Sequence, residues 1–236
     1  TQMSFSGVIR KEDIYVYSAM TPGGSAYADY VGAQSVLMCH SPPSFLDSSE
    51  LFEKQKSEHR SALPKFIFLT YPKDFCAPNK GIDFPIVQSC YPFREEPINL
   101  SKRKTGVAAT LGSIVQDPGN FFSSFNSAAQ RLGEDFFRSA QAMDGMPTVI
   151  HHGGIGSTLR WLSSGKNQVI VPFMWDQPNN ARLASHWGAC VLPIGSVTEE
   201  TAYQALLKSK KGTNILPRGS IKSCARDFII GVSNHF

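Results

Sequence analysis

Between residues 147 and 194, three short apolar runs alternate with stretches of helical character: PTVI (147–150), QVIVPF (168–173) and CVLPI (190–194). Runs of this length are strands, and the connections between them suit helical crossovers rather than hairpins. Strands and helices alternating in this way build a parallel sheet with helices on both faces. The same pattern restricts where a ligand can sit, because open parallel sheets bind beyond the carboxyl ends of their strands.

The rest of the chain extends the alternation. IYVYSAM (14–20), SVLMC (35–39) and FIFLT (66–70) read as strands, with a short helix SAYADYVG after Gly23-Gly24. GVAATLGS reads as a strand ending in the turn Gly112-Ser113, and residues 118–132 as a helix opening at Pro118, where proline is tolerated in the first turn. Helices are expected from Ser157 to Ser164, stopped by Gly165, and from Asn179 to Trp187, stopped by Gly188. Another opens at a capping box, Ser196-x-x-Glu199. Residues 41–62 read as loop or exposed helix, and the proline-rich, aperiodic stretch 71–105 as a connecting segment. The chain thus divides into domains at 1–100 and 101–236.

Composition narrows the function classes. Hydrophobic residues make up 42% and charged residues 18%, an ordinary soluble balance. No apolar run approaches the roughly 20 residues of a spanning helix. The formal charge of +4 is spread over short clusters, Lys102-Arg103-Lys104 and Lys208, Lys210, Lys211. Nucleic-acid binders carry a denser basic face, so no nucleic-acid partner is expected. The cysteines, Cys39, Cys76, Cys90, Cys190 and Cys224, are odd in number, irregularly spaced and without a C-x-x-C. This argues against a disulfide framework and a zinc site, and for reduced thiols in a cytosol-like compartment. The chain opens Thr1-Gln2 rather than with Met, the expectation being a processed or trimmed start with any targeting segment out of view.

The strand ending at Ile150 runs into His151-His152-Gly153-Gly154-Ile155-Gly156-Ser157-Thr158 and then a helix. Glycines let a backbone approach an anion closely, and the first helical turn offers unpaired N–H groups and a positive dipole end. Ser157 and Thr158 add hydroxyl donors, so the turn is a candidate diphosphate cradle. VPFMWDQPNNARL then places Asp176 and Gln177 just past the next strand, at the same sheet edge. A carboxylate beside a carboxamide suits paired sugar hydroxyls, since one accepts and the other does both. An ordinary tight turn and a plain helix N-cap are the bland alternatives for the two loops.

The stretch His152 to Gln177, continuing as Pro178-Asn179-Asn180-Ala181, resembles the signature of the UDP-dependent glycosyltransferases. Its His-His-Gly-Gly-x-Gly-Ser-Thr form is most similar to the sterol and glycopeptide-type glucosyltransferases. The resemblance implies an α/β, GT-B-like architecture. It expects a C-terminal Rossmann-like domain that binds the nucleotide sugar, preceded by a truncated N-terminal Rossmann-like domain. By the same resemblance His152, Gly154, Gly156, Ser157 and Thr158 meet the diphosphate, with Ser113 on a second phosphate-side loop. Asp176 and Gln177 hold donor-sugar hydroxyls. No metal or other cofactor is implied beyond the UDP-sugar donor, and the acceptor implied is a lipid- or sterol-like hydroxyl.

Three departures accompany the likeness. Arg160 stands where plant-type members carry a ribose-binding glutamate. Residues 133–147 look too short for the further strand and base-packing loop that the family places there. The family's catalytic base comes from the first strand-loop of its N-terminal domain, which is expected before Thr1, and neither His40 nor His59 takes that role. Two functions follow: an inverting, metal-independent hexosyltransferase, or a glycosyltransferase-derived subunit that has lost its chemistry and serves as a scaffold within a larger assembly. Residues 1–236 alone are expected to transfer no sugar, the open N-terminal side being covered by further sequence or by another protein. A Rossmann oxidoreductase is disfavoured, since the turn lacks the G-x-G-x-x-G order and an acidic residue about 20 positions on.

Overall fold

The structure is a computed structural model. It describes residues 12–18, 24–40, 64–77, 85–91, 105–112, 115, 118–212, 214–217 and 221–236. Ser113, His59 and the segment 41–62 lie outside the described residues. The chain forms two compact units, one from 1–94 together with 219–236 and one from 95–218.

In the first unit, β1 (Ile14–Ser18), β2 (Gln34–Cys39), β3 (Phe66–Leu69) and β4 (Ile86–Gln88) lie side by side in that order. All neighbours are parallel. Helix α1 (Gly24–Val31) makes the crossover from β1 to β2. All four residues of β3 are buried, as expected of a strand covered on both faces. The stretch 71–105, expected to be connection alone, holds the strand β4. Three half-buried residues are too few to show a period, but Gln88 marks the strand. Its Nε2 donates to the carbonyls of Tyr71 (3.1 Å) and Cys76 (2.8 Å), tying down the turn after β3.

The last helix packs in the first unit. Cys224, Phe228 and Val232, spaced four apart on one face, meet Val36, Phe66 and Phe68. Gly231 lets this helix approach the sheet, since a Cβ there would lie 3.0 Å from both Phe66 and Val87.

The second unit holds β5 (Val107–Thr110), β6 (Phe136–Phe137), β7 (Thr148–His151), β8 (Asn167–Ile170) and β9 (Cys190–Val191), all parallel, in the order β6-β5-β7-β8-β9. Helices α2 (Phe121–Arg131), α3 (Ile155–Leu162), α4 (Gln177–Ser185) and α5 (Glu199–Ser209) belong to it, and α6 (Ile221–His235) is the C-terminal helix of the first unit. Strand alternation sorts the core by face. Val107, Ala109, Ile150 and Val169 pack on Phe121, Phe125 and Ala128 of α2 and Ala202 and Leu206 of α5. Ala108 and Val149 point the other way, onto Trp161, Met143 and Met146.

Local details differ from expectation. The chain turns once before α2, with Phe121 N–H on the Pro118 carbonyl, so the helix begins three residues late. The cap of α5 is Thr198 rather than Ser196. Its hydroxyl accepts from Thr201 N–H while Thr201 Oγ1 accepts from Thr198 N–H, closing the box two residues further on. The segment 133–147 does hold a strand, β6, paired with Val107 and Ala108.

Candidate functional site

The strand order reverses between β5 and β7. Chain connections leave in opposite directions there, and a crevice opens at the carboxyl ends of the two strands. Both glycine-bearing loops lie at that point. Gly112, after β5, has φ of +69°, and a Cβ on it would fall 2.9 Å from the His152 ring after β7. Gly154 bounds the same ring on another side, where a Cβ would fall 2.8 Å from Nε2. Two glycines therefore make the slot in which His152 sits.

Helix α3 begins two residues earlier than the sequence suggested, with Gly154 as its N-cap and no side-chain cap. The first intrahelical bond is Thr158 N–H to the Gly154 carbonyl, 3.0 Å. The N–H groups of Ile155, Gly156 and Ser157 precede it and have no partner within the helix. Thr158 is fully buried, and its hydroxyl donates back to the Gly154 carbonyl at 3.0 Å. The hydroxyl donor expected from Thr158 is thus used inside the helix, while half-buried Ser157 keeps its place at the open turn.

Burial holds the His152 pKa below its ordinary value, against the pull of the Asp176 carboxylate, which raises it. Its Nδ1 is buried, and no described residue bonds to it. The other ring nitrogen, Nε2, adjoins Gly154 at the helix N-terminus, where an imidazole N–H can meet an anion.

Asp176 is the N-cap residue of α4 and Gln177 its first residue. Asn180 joins them to the first loop, its Nδ2 donating to the Gly153 carbonyl at 3.0 Å and to Asp176 Oδ2 at 2.9 Å. Gln177 is buried, and its Oε1 accepts from Phe173 N–H (2.9 Å) and Met174 N–H (3.2 Å). The carboxamide oxygen expected to face a ligand therefore shapes the loop, and the NH2 alone is left for one. Asn180 is the residue whose part the sequence did not disclose. The resemblance marked it only as the asparagine of the signature, without a role.

Trp175 ends that loop with φ of +55°, 64% exposed. A left-handed conformation costs an L-residue about 1–2 kcal/mol, more than glycine loses to its freer unfolded chain. Trp175→Gly should therefore raise stability by about 0.5–1 kcal/mol in urea denaturation. An unchanged or lower midpoint would show the backbone to be unstrained.

A cleft of about 230 Å³ adjoins Gly112, lined by Leu111, Val115, Phe122, Arg138 and Ser139 among others. Its Arg138 guanidinium lies 4.0 Å over the Phe122 ring. Arg138 and Ser139 follow β6, so the segment that looked too short supplies one wall. Arg160 lies outside this constellation. It bonds Asp144 at 2.7 Å, while buried Lys166 donates to the carbonyls of Asp144 (2.9 Å) and Met146 (2.6 Å) before β7.

No protein-family model and no curated protein matches the chain. Solved structures do. The glycotransferase of kitacinnamycin aligns over 94% of this chain and 72% of its own, with TM-score 0.63 and 14% identity. Spinosyn forosaminyltransferase SpnP aligns over 95% and 72%, with TM-score 0.61 and 14% identity. Glycosyltransferase VinC, solved in complex with DTDP, aligns over 95% and 69%, with TM-score 0.57 and 16% identity. The fold is that of the GT-B glycosyltransferases. At these identities the likeness is one of fold, and none of the three is named for a sterol. The GT-B frame fits both parallel sheets described above. No helix among the described residues is long and apolar enough to cross a membrane.

Proposed function

We propose that the second unit binds a nucleoside diphosphate sugar and that the protein transfers the sugar to a hydroxyl acceptor. The observation that carries this is the bridge made by Asn180. One amide holds together a loop built for a diphosphate and a carboxylate suited to sugar hydroxyls. In this reading the diphosphate lies on the N–H groups of Ile155, Gly156 and Ser157 and against His152, and the nucleoside enters the cleft bounded by Gly112 and Arg138. Asp176 accepts from the donor sugar, with the Gln177 NH2 beside it. The VinC structure, solved in complex with DTDP, supports a nucleoside diphosphate in a frame of this kind.

As the glycosidic bond breaks, negative charge builds on the leaving diphosphate. Helix-end N–H groups and a neighbouring imidazole stabilise such charge without reorganising. Diphosphate charge also raises the His152 pKa, favouring the protonated, donating ring. The acceptor we propose is a lipid- or sterol-like hydroxyl, on the resemblance of the His-His-Gly-Gly signature. No described residue is assigned as the base. His40 Nδ1 pairs with Thr70 Oγ1 at 2.8 Å in the first unit, and no role is carried to it.

Calorimetric titration with UDP, dTDP and their glucose conjugates tests the reading. Gly154→Ala puts a methyl against His152 Nε2 at a backbone φ of −58° that alanine accepts. It should fold normally and lose roughly ten- to a hundredfold in nucleoside diphosphate affinity, the worth of one charged hydrogen bond. Asp176→Asn keeps an acceptor for Asn180 and should weaken the sugar conjugates severalfold without weakening the diphosphates. Equal losses for both ligand types would remove Asp176 from the sugar, and wild-type protein that binds neither would end the proposal.

A further inference from the structure

Both backbone polar groups of Gly153 are held. Its N–H donates to His151 Nδ1 at 3.1 Å, and its carbonyl accepts from Asn180 Nδ2 at 3.0 Å. His151 is fully buried, with Nε2 2.8 Å from Gln168 Oε1. These contacts leave the ring one arrangement. Nδ1 must be bare to accept from Gly153, so Nε2 carries the proton and donates to the amide oxygen of Gln168. Sequence reasoning gave His151 no part. It faces away from the slot that holds His152, yet it is the residue on which the bend of the loop rests.

We propose that His151 is a positioning residue for the diphosphate loop, a neutral imidazole of fixed tautomer that sets the Gly153 peptide and thereby the direction of the N–H groups that follow. The inference rests on the nucleotide-sugar reading above. Gly153 stands at φ +90°, one of several conformations open to glycine, so these contacts select it, and the next residue is the N-cap of α3. Protonating His151 would place a second N–H against that of Gly153 and break the hold.

The surroundings keep the ring neutral. Burial pushes its pKa down to about 4, with a smaller downward push from His152 and an opposing one from the Gln168 hydrogen bond. From the elements packed around it, β8 offers the uncharged Gln168 and α4 the uncharged Asn180, while Asp176 acts on His152. The cation Arg160 and the buried Lys166 bond Asp144 and Met146 ahead of β7, at the other end of the strand from His151.

Two measurements test the proposal. In wild-type protein, long-range proton–nitrogen spectra should show His151 as the neutral Nε2–H tautomer throughout pH 5.5 to 8, assigned against His152→Gln. A ring protonated on Nδ1, or one titrating near pH 6.5, overturns the proposal whether or not nucleotides bind. Gln168→Glu then offers a carboxylate to Nε2–H and favours the doubly protonated ring. With UDP or dTDP, whichever the wild type binds, the variant should be at least tenfold weaker than wild type at pH 6, with its near-ultraviolet dichroism intact. The comparison at equal pH cancels titration of the ligand and of His152. With His151 protonated, the added carboxylate and the added proton cancel, so net charge alone predicts no change in diphosphate affinity. Affinity within twofold of wild type, or tighter, overturns the positioning role while leaving the nucleotide-sugar reading intact. Failure of the wild type to bind either diphosphate ends that reading instead.

Discussion

Gly153→Ala should lose about 2–5 kcal/mol of folding stability. Two costs add. At φ +90° a side chain is strained by about 1–2 kcal/mol. The new Cβ would also stand 2.9 Å from Ile170 Cγ2 and 3.2 Å from the Gln177 carbonyl, overpacking worth about 1–3 kcal/mol. The backbone carbonyl cannot swing aside as a side chain can. Moving it shifts α4 at its first residue, and with it the hydrogen bonds of Asn180 to Gly153 and Asp176. Urea denaturation followed by tryptophan fluorescence reads this directly. A loss under about 1 kcal/mol would mean the loop has room that its geometry denies. The contrast with Gly154→Ala is informative, because adjacent glycines separate two functions. One is required by the fold, the other by the ring beside it.

Stability should also fall by about 2 kcal/mol between neutral pH and pH 5 from His151 alone. Its pKa is depressed in the folded state, to about 4, against 6.5 unfolded. The unfolded chain therefore takes up a proton first as pH drops. The stabilisation is complete above pH 6.5 and is lost progressively down to about 4, where both states are protonated. His152, also held below its ordinary value by burial, acts with the same sign. Carboxylates titrate mainly below this range, so denaturation at pH 7, 6 and 5 isolates the histidines. Stability that stays level across those three points would show that His151 is charged or solvated in the folded protein.

The candidate site was legible in the sequence to the extent that it is local. TVI followed by HHGGIGST displays a strand, a glycine turn and a helix start in consecutive residues, and their physical meaning needs no partner. The same holds for the strand ahead of Asp176. What depended on distant residues was not legible. Gln177 looked like a ligand group, and only the fold shows Phe173 and Met174 N–H turned back onto its oxygen. Thr158 looked like a donor until the helix proved to start early enough for its hydroxyl to reach the Gly154 carbonyl. Strands of two and three residues, Phe136–Phe137 and Ile86–Gln88, carry no periodicity, so β6 and β4 escaped notice. The last helix escaped assignment for another reason. The stripe Cys224, Phe228, Val232 announces that it must be covered, but sequence order does not say by which sheet.

That last packing has a consequence for synthesis. Residues 95–218 form a unit contiguous in the chain, whereas the first unit needs 1–94 and 219–236 together. The ribosome therefore delivers β1 to β4 early, with Phe66 and Phe68 awaiting the helix that covers them. The second unit can close on itself as it emerges, while the first holds an uncapped apolar face until residues 219–236 have followed it. Nascent chains halted before residue 219 should be the ones that chaperones retain, and the order of maturation runs opposite to the order of synthesis.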